Sequence, residues 1–299
     1  MRKILVIGTG GTISCVKTEN GLAPGCPVSD LIKDIELPVE IHTEQFFELD
    51  STDMTPRHWE QLARHIREHY DEFDGFVITH GTDTLAYGAA ALSVLIRNSR
   101  KPVVFTGSMK PMTEENSDAP RNLRDAVSFA ADESAGGVSL AFNGKIFDGR
   151  CAHKSDSENA DAFKSIGSFS STGETCFFER LSDEVFLTKL IPGQRLFVPE
   201  NARAVILEGF GAGGVPDYLF DDVAALANRG VYVIIGTQCE HGGTRLFEYA
   251  VGQRAMNNFP LLETGAMTTE YAVARAQWAL AYSNSYEDFK KLFCLNSIV

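Results

Sequence analysis

Short runs of β-branched and aliphatic residues alternate along the chain with longer stretches whose apolar residues recur every three or four positions. The runs are typical of strands buried on both faces, and the stretches are typical of amphipathic helices. Strands are predicted at Lys3–Gly8, Gly75–Thr79, Pro102–Gly107, Gly137–Asn143, Phe186–Ile191, Ala204–Gly209 and Val231–Thr237. Helices are predicted at Pro56–Tyr70, Thr84–Arg97, Pro120–Asp132, Tyr218–Asn228, Thr269–Tyr282 and Tyr286–Phe293. The alternation indicates an α/β fold with a mostly parallel sheet flanked by helices.

The predicted helix at Pro56–Tyr70 has the clearest boundaries. Thr55 is suited to capping it, and Pro56 suits its first position. Its apolar residues form one stripe, made of Trp59, Leu62, Ala63 and Ile66. We therefore expect this helix to lie on the surface of the sheet with that stripe buried.

The periodicity weakens between Ala162 and Asp183, where Ser, Gly, Thr and Phe dominate. Such a change in composition is typical of a connection between domains. The sequence therefore predicts a larger N-terminal domain at 1–164, a linker at 165–184 and a smaller C-terminal α/β domain at 185–299.

Two of the predicted strands end in similar glycine-rich loops that carry threonine. The first is Gly8–Ile13 and the second is Ile78–Leu85. Loops at the carboxyl ends of parallel strands point backbone N–H groups and short side chains into the crevice where open α/β folds bind ligands. Paired threonines in this place indicate a hydrolase. The irregular, Gly- and Pro-containing stretch Ser14–Ser29 follows the first loop and is typical of a lid.

The overall charge of −13 disfavours partners that require a basic surface, so we expect neither nucleic acid nor an anionic membrane to bind. No apolar run approaches the roughly 20 residues of a membrane span. Strand-forming residues begin at Lys3, which leads us to expect no secretory segment and a cytoplasmic location. The first loop has Ile13 where a dinucleotide fingerprint requires its third glycine, and the Gly-Lys-Ser/Thr of a Walker loop is absent, so no nucleotide cofactor is predicted.

Six cysteines are spread along the chain without CxxC spacing, which favours reduced thiols and argues against zinc. Cys239 is a single cysteine at a strand end, and such a residue is more often a small core residue than part of a regulatory pocket. His58, His65 and His69 share one face of the predicted helix but lack a carboxylate motif such as HExxH. We interpret them as a polar flank, so the sequence predicts no metal.

Thr12, Thr82, Asp83 and Lys154 are the candidates for catalysis. A threonine hydroxyl becomes a nucleophile when a base removes its proton, and a lysine in a desolvated pocket is able to act as that base. Taken alone, each residue has a simpler interpretation. A lysine in a loop is a solvated surface group in roughly nine cases of ten, and a threonine in a glycine turn more often bonds to the backbone.

Five motifs, taken together, favour the catalytic interpretation of these residues over the simpler ones. In chain order they are Gly-Thr-Gly-Gly-Thr-Ile at 8–13, Asp-Ser-Thr-Asp-Met at 50–54, Thr-His-Gly-Thr-Asp-Thr at 79–84, Thr-Gly-Ser-Met at 106–109 and Asp-Ala-Pro-Arg-Asn-Leu at 118–123. In this order and at these intervals the chain resembles the bacterial and archaeal L-asparaginase family over nearly its whole length. It looks most similar to the intracellular type I branch.

The resemblance implies hydrolysis of L-asparagine to L-aspartate and ammonia through an acyl-enzyme, without a cofactor. It implies that Thr12 is the nucleophile and that Thr82, Asp83 and Lys154 form a proton relay. It also assigns the substrate α-carboxylate to Ser51 and Thr52 and the α-ammonium to Asp83, with Gly81 lining the same pocket. The family further implies a homodimer or homotetramer.

One position departs from the family pattern. The family commonly has a lid tyrosine in a Gly-Tyr-x-Pro setting, which here is Gly21-Leu22-Ala23-Pro24. No tyrosine occurs between Ile13 and Leu49. A leucine can exclude water but cannot relay a proton. Three explanations stay open: another group replaces the hydroxyl, either Ser14 or Glu19 of the lid or a residue of a neighbouring subunit; turnover is slow; or the lid aligns with the family in a different register.

Two alternatives therefore stay open. The chain could be an asparagine or aspartate sensor that has lost turnover together with the tyrosine. It could also be the ammonia-producing subunit of a tRNA-dependent amidotransferase. In that family the related subunit has an additional N-terminal β-barrel, whereas this sequence begins at the first catalytic strand, so we rank this alternative last. The preference between asparagine and glutamine is not predicted.

Overall fold

The structure is a computed structural model that describes residues 1–19, 21–170 and 173–295. The chain divides into two compact units, Met1–Ser165 with Ser171–Glu179, and Ile166–Ser170 with Arg180–Val299. The predicted linker 165–184 includes residues 171 and 172, which lie outside the described residues. Both units combine a mainly parallel sheet with helices, so the predicted α/β class is confirmed.

The first unit contains a six-stranded sheet of order β4-β1-β5-β7-β8-β9, in which only β9 is antiparallel to its neighbour. The strands of this unit are β1 (Lys3–Gly10), β2 (Cys15–Thr18), β3 (Gly21–Pro24), β4 (Glu40–Leu49), β5 (Gly75–Thr79), β6 (Ile96–Arg97), β7 (Val103–Thr106), β8 (Val138–Phe142), β9 (Lys145–Asp148), β10 (Ala152–Lys154), β11 (Phe163–Ser165) and β12 (Cys176–Phe177). Its helices are α1 (Val28–Leu31), α2 (Pro56–Glu68), α3 (Leu85–Leu95) and α4 (Ala119–Ala130). Short two-stranded sheets pair β2 with β3, β6 with β12 and β10 with β11.

The central strands are covered on both faces. Val104 of β7 packs in a cluster with Ala126 and Val127 of α4. The next residue, Phe105, lies against α3, where a Cβ added to Gly88 would be 3.0 Å from its ring. Because successive side chains of a strand point to opposite faces, α4 and α3 lie on opposite sides of this sheet. This explains why β1, β5, β7 and β8 consist mostly of apolar residues with little polar alternation.

Helix α2 matches its sequence pattern. It begins at Pro56, and its N-cap Thr55 donates its backbone N–H to His58 Nδ1 at 3.0 Å. The predicted stripe of Trp59, Leu62, Ala63 and Ile66 is buried, which confirms it. The helix ends two residues before the predicted boundary, at Glu68.

The second unit has a parallel four-stranded sheet of order β13-β14-β15-β16. Its elements are β13 (Val185–Lys189), β14 (Ala204–Gly209), α5 (Phe220–Asn228), β15 (Tyr232–Thr237), α6 (Ala250–Asn258), β16 (Leu261–Glu263), α7 (Thr269–Tyr282) and α8 (Tyr286–Cys294). A cluster that includes Val205, Val233, Val223 and Leu226 packs α5 onto β14 and β15. No helix within the described ranges has the length and apolar character needed to cross a membrane.

The structure differs from the sequence pattern at the segment Ser14–Ser29, at strand β4 and at Cys239. The stretch Ser14–Ser29 is not wholly irregular, because β2 and β3 form an antiparallel hairpin in which Lys17 faces Leu22. Strand β4 was not predicted, since its ten residues alternate between partly buried and exposed positions and contain no long apolar run. Cys239 is exposed and is therefore not a core residue, although all six cysteines are free thiols, as predicted.

Candidate active site

Three loops meet at one edge of the larger sheet. Strands β4, β1 and β5 are parallel neighbours, so their carboxyl ends point the same way. These ends lead into the segments that contain Ser51, Thr12 and Thr82, respectively. Residues from three distant parts of the sequence thus come to one crevice, as expected for an open α/β sheet.

Glycine allows the loops to approach one another this closely. Gly10 and Gly11 have φ values of 99° and 77°, which side chains with a Cβ rarely adopt. A Cβ at Gly11 would also lie 2.2 Å from the backbone nitrogen of Gly81. A Cβ at Gly81 would lie 2.4 Å from Ser51 Oγ. The three loops are therefore packed directly against one another at Gly11, Gly81 and Ser51. In addition, the Gly11 backbone N–H donates a hydrogen bond to the carbonyl of Leu49 at 2.9 Å.

Thr12 begins a single 3-10 turn, Thr12–Ser14, immediately after this contact, and it is half-buried. Ser14, one of the two proposed lid groups, is buried and donates its hydroxyl to the Gly11 carbonyl at 2.9 Å. The other, Glu19, is exposed at the turn of the hairpin. Leu22 is 51% exposed and lines a groove with Lys17, Thr113 and nearby residues.

Lys154 is bound to both candidate partners from the second loop. Its Nζ donates to Thr82 Oγ1 at 3.0 Å and to Asp83 Oδ1 at 2.6 Å. The Lys154 side chain is only 17% exposed, whereas that of Asp83 is 62% exposed. The interpretation of Lys154 as a solvated surface group is therefore wrong, and Asp83 keeps an oxygen accessible to a ligand.

The position of Lys154 depends on the turn that precedes β10. The Arg150 guanidinium donates two hydrogen bonds to Asp148, from Nε at 2.9 Å and from Nη2 at 2.6 Å, and the Arg150 backbone N–H donates a third at 2.9 Å. Gly149 lies against α3, where a Cβ would be 3.0 Å from the Ala89 carbonyl. The turn thus packs directly on the helix that follows the Thr82 loop.

The segment after β4 places Ser51 and Thr52 differently. Ser51 is buried, and its carbonyl accepts the Thr84 hydroxyl at 2.8 Å, which ties it to the second loop. Thr52 is exposed and donates its backbone N–H and its hydroxyl to Asp50 at 2.9 and 2.8 Å. These two bonds lower the pKa of the Asp50 carboxyl, because they stabilise its charged form.

His80 was given no role from the sequence, although it lies inside the motif of the second loop. The side chain is buried, and its Nδ1 lies 2.9 Å from the Gly81 carbonyl, to which it is able to donate. Burial lowers the pKa of His80 to about 4. The imidazole is therefore neutral near pH 7, and it supports the backbone between the sheet and Thr82. The sequence signal was a histidine directly after a strand that is mostly apolar.

The motif at 118–123 also has a supporting role. Asp118 accepts the backbone N–H of Met109 at 3.0 Å, and Asn122 donates to the Gly107 carbonyl at 2.9 Å. Asn122 Oδ1 accepts the backbone N–H of Asn143 at 2.9 Å. These bonds connect the loops after β7 and β8, so the motif shapes the wall of the crevice rather than supplying a reactive group.

Family models match both parts of the chain. The model described as "Asparaginase, N-terminal" matches residues 3–175, and "Glutaminase/Asparaginase C-terminal domain" matches residues 192–293. The chain belongs to the asparaginase family. The predicted family resemblance is confirmed, and the crevice lies within the part matched by the N-terminal asparaginase model.

Relatives in this family cover nearly the whole chain. The chain is 39% identical to an L-asparaginase of Thermococcus kodakarensis, with 97% of this chain and 96% of the relative covered. It is 30% identical to L-asparaginase 1 of Escherichia coli K12, with coverage of 99% and 96%. It is also 30% identical to a subunit of the glutamyl-tRNA(Gln) amidotransferase of Pyrococcus furiosus, with coverage of 98% and 75%.

Solved asparaginase structures share the fold. The thermostable L-asparaginase of Thermococcus kodakarensis matches with a TM-score of 0.89 and 38% identity, covering 97% of this chain and 96% of that chain. A probable cytoplasmic L-asparaginase of Campylobacter jejuni matches with a TM-score of 0.80 and 25% identity, covering 98% and 99%. The two-domain asparaginase architecture therefore extends over nearly the whole chain.

Proposed function

We propose that this protein is an L-asparaginase that hydrolyses the side-chain amide of L-asparagine to L-aspartate and ammonia. The observation that carries the proposal is the hydrogen-bonded set of Lys154, Thr82 and Asp83 beside the loop of Thr12. A nucleophile, a base and a carboxylate at one strand edge are the parts required for acyl transfer from an amide.

In the proposed reaction, Thr12 Oγ1 attacks the amide carbon while its proton passes through Thr82 to Lys154. The tetrahedral intermediate then loses its C–N bond, and the nitrogen leaves as ammonia after taking a proton. Water attacks the resulting ester, releases aspartate and restores the Thr12 hydroxyl. Backbone N–H groups of the glycine loops stabilise the oxyanion that forms in both steps.

Substrate charges guide binding. The α-carboxylate binds Ser51 and Thr52, and the α-ammonium binds the exposed oxygen of Asp83, next to Gly81. The incoming ammonium competes with Lys154 for this carboxylate. A lysine has to lose its proton before it acts as a base, so substrate binding and activation of Thr12 are linked through Asp83.

The nucleophile is tested with Thr12→Ala and the matched control Thr12→Ser, which keeps a hydroxyl. We expect Thr12→Ala to lose at least about 10³-fold in kcat for asparagine, since removal of a nucleophile costs several orders of magnitude. Aspartate binding should be retained in both variants. Turnover of Thr12→Ala close to that of the wild type would remove Thr12 from the mechanism.

The base is tested with Lys154→Met, which we expect to be nearly inactive at every pH. Lys145→Met is the control, because Lys145 also pairs with an aspartate, Asp161, at 2.6 Å but is half-exposed outside the crevice. If Lys154→Met keeps more than about a tenth of the rate, a loss of only ~1.4 kcal/mol of barrier, Lys154 is not the base.

The same assays separate the two other candidate functions. A sensor would bind asparagine or aspartate without releasing ammonia from either asparagine or glutamine. An amidotransferase subunit would release ammonia efficiently only in the presence of its partner subunit and charged tRNA. The similarity to a glutamyl-tRNA(Gln) amidotransferase subunit over 98% of this chain makes that assay necessary.

We further propose a cytoplasmic homodimer or homotetramer with L-asparagine as its small-molecule substrate and no metal in the active site. Support for the location comes from the relative described as a probable cytoplasmic L-asparaginase and from the six free thiols. The domain boundaries 1–164 and 185–299, with a linker at 165–184, also remain our prediction, which limited proteolysis would test.

A further inference from the structure

Helix α2 and the edge strand β4 together carry a group of side chains suited to a metal ion. His65 and His69 lie one turn apart on α2, and Glu44 projects from β4 toward them. From the sequence we predicted no metal here, because the histidines have no carboxylate motif on their own helix. The carboxylate comes instead from a separate strand, which only the fold brings into place.

The distances suit a shared ligand. His65 Nε2 lies 3.0 Å from Glu44 Oε2, and one ligand atom from each of the three residues lies within 4.8 Å of the others. Two ligand atoms bound to one tetrahedral zinc ion, each about 2.1 Å from the metal, are separated by about 3.4 Å. The side chains therefore have to close by up to about 1.4 Å, which Glu44 and His69 are free to do because both are partly exposed.

The unsatisfied nitrogens of the histidines support a ligand at this place. His65 Nε2 and His69 Nδ1 are buried. Each lies beside a carboxylate oxygen, Glu44 Oε2 at 3.0 Å and Glu72 Oε2 at 3.5 Å, but neither contact has hydrogen-bonding geometry. His65 as a whole is only 8% exposed. Leaving a buried polar atom unpaired costs about 1–3 kcal/mol, so two such atoms beside carboxylates indicate a bound partner.

We propose that Glu44, His65 and His69 bind one divalent ion of the Zn²⁺ class. Two imidazole nitrogens and one carboxylate oxygen form a ligand set that binds Zn²⁺-class ions in preference to Mg²⁺ or Ca²⁺. Glu72 Oε2 lies 3.5 Å from the same His69 Nδ1, so this carboxylate is placed to complete the coordination of the ion.

The ion would connect the two elements on either side of the substrate-binding segment. Strand β4 ends at Leu49, just before Ser51, and α2 begins at Pro56, just after it. A metal between β4 and α2 would thus restrain the ends of the segment that carries Ser51 and Thr52. It would stabilise the fold and not take part in amide hydrolysis.

The test uses Co²⁺ as a spectroscopic probe on the full-length protein after removal of metals with EDTA. We expect one equivalent of Co²⁺ to bind with visible d–d absorption and without a thiolate charge-transfer band. The second condition excludes binding to exposed thiols such as Cys176 and Cys239. A competing titration with Zn²⁺ should abolish the Co²⁺ signal.

Single variants identify the ligands. Glu44→Gln and His69→Gln, both at partly exposed positions, should each weaken Co²⁺ binding at least about tenfold, as should His65→Gln. His42→Gln is the matched control, because His42 lies on the same strand and contacts a different carboxylate, Glu40, at 2.7 Å. It should bind like the wild type.

Thermal unfolding gives a second readout that does not depend on activity. Zn²⁺ should raise the Tm of the wild type and of His42→Gln, but not that of His69→Gln. Absence of stoichiometric binding, or equal binding by the wild type and by both Glu44→Gln and His69→Gln, would overturn the proposal. Either outcome leaves the proposed asparaginase activity unaffected.

Discussion

At the scale of the residue, the environment of a side chain decides its role in this protein more than its type does. Lys154 and Lys145 both pair with an aspartate at 2.6 Å. Lys154 is mostly buried and also bonds to Thr82, whereas Lys145 is half-exposed. A partly desolvated lysine held on a hydroxyl is placed for proton transfer, and a solvated one contributes little even to stability.

His80 leads to a prediction about stability and pH. Its pKa is lowered to about 4 in the folded protein from the ordinary value of 6.5, because burial disfavours the charged ring. Below pH 6.5 the unfolded chain therefore binds a proton that the folded chain does not. The stability present above pH 6.5 is lost as the pH falls to about 4, by about 3 kcal/mol in total.

Urea unfolding between pH 7.5 and 4.5 checks this prediction. His80→Asn, which keeps a donor but does not titrate, should be less stable at pH 7.5 and should show a flatter decline than the wild type. His241→Asn, at an exposed position, serves as the control and should follow the wild type. Parallel declines for the wild type and His80→Asn would contradict this role of His80.

At the scale of the element, the hairpin of β2 and β3 takes the place expected for a lid. It follows the Thr12 turn directly, and Leu22 pairs with Lys17 in its register. The family commonly has a tyrosine hydroxyl at this position. Here the bonds from Lys154 to Thr82 and Asp83 form with a leucine at position 22, so this part of the relay is assembled without a tyrosine hydroxyl.

We therefore predict that Leu22→Tyr changes kcat for asparagine by less than about tenfold, since about 1.4 kcal/mol is the most that a redundant hydroxyl should contribute. Leu22→Phe is the matched control, because it adds the ring without the hydroxyl. Steady-state ammonia release provides the measurement. An increase of several orders of magnitude in the tyrosine variant alone would show that the native chain lacks an activator and would favour the sensor alternative.

At the scale of the whole molecule, each unit has its own mainly parallel sheet and its own core. In the second unit, β13 is an edge strand, and the segment that follows it exposes large apolar side chains. Phe197 is 85% exposed and Ile191 is 54% exposed, and both line one groove. Exposed apolar groups that share a groove are typical of a surface that binds another protein chain.

We predict from this surface that the protein forms a homodimer or homotetramer. Light scattering coupled to size-exclusion chromatography should give a multiple of the single-chain mass at micromolar concentration. Phe197→Glu should shift the population toward smaller species. Phe247→Glu is the control, because it changes an exposed phenylalanine outside this groove. A wild-type protein that elutes as a single chain would refute the prediction.

The local features of this protein follow from its sequence. Strands such as β5 and β14 are buried at every position and are mostly apolar, and their predicted bounds are those observed. The stripe of α2 and the glycines before Thr12 likewise depend on neighbours only a few positions away. The family motifs are also short local segments, so their order along the chain was sufficient to identify the family.

The contacts that join distant residues were decided by the tertiary structure. Strand β4 was not predicted from the sequence and is identified by its pairing with β1, because an edge strand does not need a continuous apolar run. The meeting of Lys154 with Thr82, and of Glu44 with His65, depends on sheet order and on helix packing. Sequence spacing does not encode these distances, since they arise when the buried faces of separate elements pack together.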